Sequence, residues 1–179
     1  MQPDFTKIAK HFEFEGTYLA AYPYGFGHIN DTYTVDFQKS DDAKNRYILQ
    51  RINHNVFKRP EELMQNIRAV TAHLRLKIRV AGGNPKRETL NLVPTTDGNI
   101  FYKTPEGNYW RGYTFVKDAQ TYEIAKDHTL VYNAAQAFGR FQQLLSDFPA
   151  DQLYETIPNF HHTARRFQAF TRSTANALE

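Results

Sequence analysis

Two glycines stand two residues apart in the stretch YPYGFGHINDTYTVDF, residues 22–37. Gly25 and Gly27 interrupt an aromatic run, and the residues from Thr32 to Phe37 then alternate with period two, as in a β-strand. Glycine allows a backbone to approach a phosphate group closely, because it has no Cβ. The chemistry that these residues suggest is phosphate binding by a backbone loop, and an ordinary hairpin turn is the alternative.

We call the segment around Gly25 and Gly27 the glycine elbow. The predicted elements on either side of it indicate which type of loop it forms. An elbow that joins a strand to a helix is typical of dinucleotide and Walker-type sites, whereas one between antiparallel strands is typical of a loop that covers nucleotide phosphates in kinases. The residues after the elbow predict a strand, which favours the second type. In kinases the third strand supplies a cation to the phosphates and a helix supplies its partner. Here the third predicted strand ends in the polar pair Gln50 and Arg51.

Hydrophobic periodicity predicts the remaining elements. The predicted helices are 4–13, 60–76, 127–148 and a last one from 164, and the predicted strands are 17–23, 32–37, 46–52, 88–95, 100–105 and 109–116. Residues 117–121 have no apolar period and indicate a linker. We therefore predict an α+β chain with two unlike parts, a mostly antiparallel sheet with one helix in residues 1–116 and a helical part in residues 117–179.

Composition excludes several classes of protein. The absence of cysteine excludes disulfides and thiolate metal sites, and the adjacent His161 and His162 diverge too much to predict a zinc site. No apolar run approaches the roughly 20 residues of a membrane span, and no secretory signal is visible. Elimination therefore predicts a cytoplasmic protein without a membrane partner. The net charge of +3 is modest and its basic residues are dispersed, which argues against a nucleic-acid partner.

Three segments together resemble one family. GHINDTYTV (27–35), YILQRINHNVFKRPEELMQNI (47–67) and WRGYTFVKDAQTY (110–122) are similar to small-molecule kinases of the aminoglycoside phosphotransferase and choline kinase type. Within that family the nearest likeness is to N-acetylhexosamine 1-kinases, and it continues into AAQAFGRFQQLLSDFP (134–149). The resemblance implies a protein-kinase-like small lobe followed by the first helices of a helical large lobe. It also implies ATP and Mg²⁺ as cofactors and transfer of the γ-phosphate to the anomeric hydroxyl of an amino sugar.

The resemblance also implies which residues bind the nucleotide. The loop would consist of Gly25, Phe26, Gly27, His28, Asn30 and Asp31. Ile48 or Leu49 would touch the purine. Residues from Tyr113 to Val116 would form a hinge, in which Thr114 and Val116 offer backbone groups to adenine and Phe115 is also a nucleotide-binding residue.

The sequence departs from the family pattern at two places. The lysine of the third strand is missing. Gln50 occupies its expected position and the cationic Arg51 stands beside it, and strand alternation puts only one of these two binding candidates on the nucleotide face. Gln65 stands near the expected glutamate of the helix. A neutral Gln50–Gln65 pair would then position phosphates by hydrogen bonds. In addition, the catalytic loop H-G-D-x-x-x-x-N and a magnesium aspartate are absent, so we expect the catalytic aspartate beyond Glu179 and assign no catalytic or metal residue.

Two alternatives remain open at the level of sequence. The chain could be a non-catalytic module that binds a nucleotide or a protein partner with the same fold. A nucleic-acid-binding protein is the weaker reading. The apolar stripe of Phe138, Phe141, Leu145 and Phe148 is expected to face water on at least one side, which predicts a homodimer through the helices, unless the last helix folds back over the stripe.

Overall fold

The computed structural model describes residues 3–40, 43–125 and 127–177. It confirms an α+β fold with one antiparallel sheet of six strands. The helices are α1 (Phe5–Ala9), α2 (Pro60–Val80), α3 (Pro85–Glu88), α4 (His128–Leu144) and α5 (Thr163–Asn176), with a 3₁₀ turn at Ala150–Gln152. The strands are β1 (Thr17–Pro23), β2 (Asp31–Gln38), β3 (Lys44–Ile52), β4 (Leu92–Val93), β5 (Tyr102–Lys103) and β6 (Tyr109–Thr114).

The strand order of the sheet is β1-β2-β3-β6-β4, and β5 also pairs with β6. The first three strands form a meander in which the glycine elbow joins β1 to β2. The chain then leaves the sheet through α2 before it returns to β4, and β6 inserts beside β3. Two helices, the long α2 and the four-residue α3, thus lie between the third and fourth strands, whereas the sequence predicts one.

The two faces of the sheet have different covers. Side chains alternate between faces along β3, so Tyr47 and Leu49 point one way and Ile48, Gln50 and Ile52 the other. The first face packs against α1 and the residues after it, in a cluster with Phe5, Phe12, Phe14, Val35 and Trp110. On the second face Ile52 and Tyr109 pack against Met64 of α2. Only part of this second face is therefore covered by the helix.

Local signals explain where the helices begin. The Asp4 side chain accepts a hydrogen bond from the backbone N–H of Lys7 at 3.1 Å, and that of Asp127 accepts one from Thr129 at 2.9 Å, so both predicted N-caps are present. Pro60 begins α2 with Glu61 and Glu62 in its first turn. Among the described residues no helix is long and apolar enough to cross a lipid bilayer.

Several predicted boundaries were wrong. The strand predicted at 88–95 is reduced to Leu92–Val93, because Pro85 and the Asn84 cap form a helical turn before it and Pro94 follows it. Thr95 forms an isolated bridge with Phe12. The strand predicted at 100–105 is reduced to Tyr102–Lys103 between two turns. α1 ends at Ala9, whereas the periodic pattern extends to residue 13.

The helical part after residue 127 has little core of its own. Neither α4 nor α5 contains a buried residue. Phe138 is 72% exposed and Phe141 45%, so the last helix does not cover the predicted stripe. Leu145 and Phe148 are half-buried, and the Phe148 ring lies 5.3 Å from the His73 ring of α2.

Candidate functional site

The two polar residues at the end of β3 lie on opposite faces of the sheet. Gln50 lies on the face that carries α2, opposite Thr32 of β2 and Arg111 of β6. Arg51 lies on the α1 face, where its Nε donates to Asp31 at 2.7 Å. The structure therefore separates Asp31 and Arg51 from the other predicted residues, and it places Gln50, but not Arg51, on the half-covered face.

Gln50 is held from both sides. Its Nε2 donates to the hydroxyl of Thr32 at 2.6 Å. Its Oε1 accepts from Nε and Nη2 of Arg111 at 2.9 and 2.6 Å. The remaining Nη1 of Arg111 reaches the sulfur of Met64 at 3.8 Å. Gln50 thus joins β2, β3 and β6 in one polar cluster, and Arg111 links that cluster to α2.

Gln65 does not belong to this cluster. It is exposed on α2, whereas the preceding Met64 is fully buried against the sheet. The Gln50–Gln65 pair suggested by the sequence is not formed. The acid of the helix that reaches the sheet is Glu61, which accepts from the Tyr109 hydroxyl at 2.6 Å, and this hydrogen bond lowers the pKa of Glu61.

The glycine loop is open and exposed. Gly25 has a φ of 79°, which favours glycine, and no atom lies within 4 Å of where a Cβ would stand on Gly27. Phe26 and His28 are exposed. Asn30 has a structural partner, because its Oδ1 accepts from the backbone N–H of Asn53 at 2.9 Å. The loop is thus anchored at its end and free of packing at its tip.

The loop meets the segment after β6. The ring of Tyr24 lies 5.5 Å from the ring of Phe115, edge to face. The guanidinium carbon of Arg46 is 5.6 Å from the same Phe115 ring. Two buried side chains, Thr34 and Ile48, face each other across β2 and β3 on this side of the sheet. The structure therefore brings together the two segments predicted to bind a nucleotide.

Three residues of the predicted hinge, Thr114, Phe115 and Val116, differ in their backbone partners. The N–H of Thr114 donates to the carbonyl of Asn91 at 3.0 Å and is not free for a ligand. Within the described part of the chain, no hydrogen bond is made by the N–H of Phe115 or of Val116. Of these three N–H groups, those of Phe115 and Val116 are therefore left without a partner by the described residues.

Arg111, Thr32 and Tyr24 are the site residues that the sequence interpretation missed. Arg111 interrupts the apolar strand WRGYTF, and a charged residue inside a central strand was a signal that could have identified it. Desolvation by burial lowers the pKa of Arg111, although a guanidinium remains charged at neutral pH. Thr32 and Tyr24 carried no comparable signal, since both residue types are common in strands and loops.

The polar cluster does not contain a set of metal ligands. Across residues 3–40, 43–125 and 127–177, no three histidine, aspartate or glutamate side chains gather where they could hold a metal ion. The described residues therefore do not fit the Mg²⁺ that the resemblance implies. A search against models of known protein families finds no match for this chain.

Proposed function

We propose that this chain is the nucleotide-binding part of an ATP-dependent small-molecule kinase. The observation that carries the proposal is the contact of Tyr24 in the glycine loop with Phe115 in the predicted hinge. A purine would bind where these two rings meet, above Ile48. Its edge would face the backbone N–H groups of Phe115 and Val116, which make no hydrogen bond within the described residues. The sheet order and the position of α2 between β3 and β4 support the same hypothesis.

The position of the glycine loop supports contact with phosphates. Gly25 and Gly27 carry no side chains, and their surroundings are open, so the backbone can approach an anion closely. Along β3, Gln50 lies two residues beyond Ile48, roughly 6–7 Å at the usual rise of a strand. A nucleotide whose base lies over Ile48 would therefore direct its phosphates toward Gln50 and the loop.

The acceptor rests on the resemblance alone, which suggests the anomeric hydroxyl of an N-acetylhexosamine. The 179 residues contain no H-G-D-x-x-x-x-N motif, and catalytic groups of this kind contribute orders of magnitude to rate. We therefore expect no phosphoryl transfer to hexosamines by this chain alone. The alternative is a non-catalytic module that only binds nucleotide. The two hypotheses differ in kinase turnover, which the first predicts for the enzyme that contains this chain and the second does not.

Nucleotide binding can be tested by backbone amide chemical shifts during titration with adenosine and ATP. Expected changes map to residues 24–29, Ile48 and residues 115–116. Changes confined to residues 150–177 would contradict the proposal.

A Gly27→Val variant tests the loop. The open surroundings of Gly27 should accommodate the valine side chain. The Cβ of the valine should keep the backbone from approaching a phosphate closely. We expect ATP affinity to fall about tenfold and adenosine affinity to stay unchanged. Gly139→Val in α4, which also has open space around its Cβ, is the control and should change neither affinity.

A further inference from the structure

Arg111 is a half-buried cation without an anionic partner. It lies on β6, between β3 and β4, and its partners are the amide oxygen of Gln50 and the sulfur of Met64. No carboxylate in the described ranges forms an ion pair with it. Because burial removes the water that would solvate a charge, an unpaired guanidinium in this position is costly unless an anion comes to it.

The other two arginines of the central strands behave differently. Arg46 donates to Asp36 at 2.6 Å, and Arg51 donates to Asp31 at 2.7 Å. Arg46 is exposed, whereas Arg51 is half-buried like Arg111, and both Arg46 and Arg51 are paired with a carboxylate. Of these three guanidinium groups, that of Arg111 is thus the one whose charge no carboxylate balances within the described chain.

The hydrogen bonds of Arg111 leave part of its donor capacity unused. A guanidinium has five N–H donors, of which two are directed at Gln50 and one at Met64. Two donors remain. Gln50 in turn is fixed by its bond to Thr32, so the amide holds the guanidinium in one orientation. A planar guanidinium held in this way is suited to two-point contact with a phosphate.

We propose that Arg111 binds a phosphate group of the nucleotide and supplies the positive charge that β3 lacks, with Gln50 as its positioning residue. The ligand class is a polyphosphate ester. The inference rests on the proposed function for the identity of the nucleotide, but the anion site follows separately from the unbalanced charge. The cation would thus reach the phosphates from β6, while Gln50 occupies the third-strand position.

The test compares three probes on the 179-residue chain by calorimetric titration: tripolyphosphate, ATP and adenosine. Arg111→Met removes the charge with a side chain of similar length. Gln50→Glu leaves Arg111 in place but supplies a carboxylate that neutralises it. Arg51→Met, on the opposite face, is the matched control. Melting temperatures show that each variant is folded.

For both Arg111→Met and Gln50→Glu we expect the affinity for tripolyphosphate and ATP to fall tenfold to a hundredfold, as about one or two charge-assisted hydrogen bonds would give. Adenosine affinity should not change, and Arg51→Met should resemble the wild type. A merely structural Arg111 would predict that Gln50→Glu keeps or raises the melting temperature and leaves anion affinity unchanged, and that result would overturn the proposal.

The probes also separate the two proposals. If tripolyphosphate binds in an Arg111-dependent manner and adenosine does not bind, the anion site stands and the nucleotide function fails. If adenosine binds and ATP binds no more tightly, the nucleotide site stands and the role of Arg111 is overturned. If none of the three probes binds, both proposals are overturned.

Discussion

The sheet region and the helical region of this chain are stabilised in different ways. In the sheet region, residues 3–114, an aromatic cluster that includes Phe12, Phe14 and Trp110 is almost completely buried. In α4 and α5 every described side chain remains at least partly exposed. The same kinds of residue occur in both regions, so the difference lies in what covers them.

Polar contacts attach the helical region to α2. His73 Nε2 lies 3.1 Å from the carbonyl of Leu144, and Lys77 pairs with Asp147. Asn66 exchanges two hydrogen bonds with the backbone of Tyr154, at 2.8 and 3.0 Å. Polar contacts near the surface contribute little to stability, because water screens their charges and competes for their hydrogen bonds. The comparison indicates that the sheet region should retain its structure when the helical region is loosened.

The largest effect on the free energy of unfolding is expected when a phenylalanine is replaced by alanine, once in the sheet region and once in the helical region. Phe12→Ala, at a side chain that is 3% exposed, should lower the free energy of unfolding by about 3–5 kcal/mol. Phe138→Ala, at a side chain that is 72% exposed, should change it by about 0.5 kcal/mol or less. Urea denaturation followed by tryptophan fluorescence measures both, since Trp110 lies in the sheet cluster. Similar losses for the two variants would mean that α4 belongs to the same cooperative core.

The exposed apolar side chains of the helices predict self-association. Phe138 and Phe141 of α4 and Phe167 and Phe170 of α5 are all exposed. A groove of about 430 Å³ beside Phe141 is lined by Ile67, Val70 and Leu74 of α2. We propose that a second copy of the chain covers this surface, because each buried phenylalanine contributes about 1.5–3 kcal/mol.

Phe138→Asp tests this association. It should weaken the dimer tenfold to a hundredfold in sedimentation equilibrium. Phe26→Asp is the matched control, because Phe26 is also 72% exposed but lies in the glycine loop. A wild-type chain that sediments as a monomer at every concentration would contradict the dimer.

The sequence was most informative where one short-range signal decides the structure. The alternation after the elbow predicted β2, Pro60 and the two glutamates predicted the start of α2, and Asp127 predicted that of α4. The lengths of β4 and β5 depend on pairing with β6, a distant segment, and the local pattern could not determine them. The polar cluster escaped prediction for the same reason, since Gln50 and Arg111 are 61 residues apart.

Two glycines, one in the sheet region and one in the helical region, differ in the space that surrounds their backbone. A Cβ at Gly112 in β6 would lie 2.8 Å from the ring of Phe14, so Gly112→Ala should destabilise the chain by about 1–3 kcal/mol. Gly139 of α4 has open space at this position, and Gly139→Ala should stabilise the helix by about 0.5–1 kcal/mol. Thermal unfolding followed by circular dichroism should therefore show shifts of opposite sign, and a stabilising Gly112→Ala would show that the aromatic cluster is loosely packed.

The smallest effect concerns pH. The hydrogen bond from Lys77 lowers the pKa of Asp147 below its ordinary value of 3.8, and that from Arg46 lowers the pKa of Asp36 in the sheet. A carboxyl group whose pKa is lowered in the folded state contributes stability above its ordinary pKa and loses it as pH falls through the lowered value.

We therefore expect amide hydrogen exchange at the end of α4 to accelerate as the pH falls from about 5 to about 2, after correction for the intrinsic effect of pH. Asp147 is one of the few polar contacts that attach this end of α4. The amides of β3 should stay protected, because the apolar cluster beneath them persists when Asp36 is protonated. Asp147→Asn should show the weaker α4 protection already at neutral pH and little further change on acidification. If acid instead releases β3 and α4 together, the two regions are coupled and the distinction between an apolar core and a polar attachment is wrong.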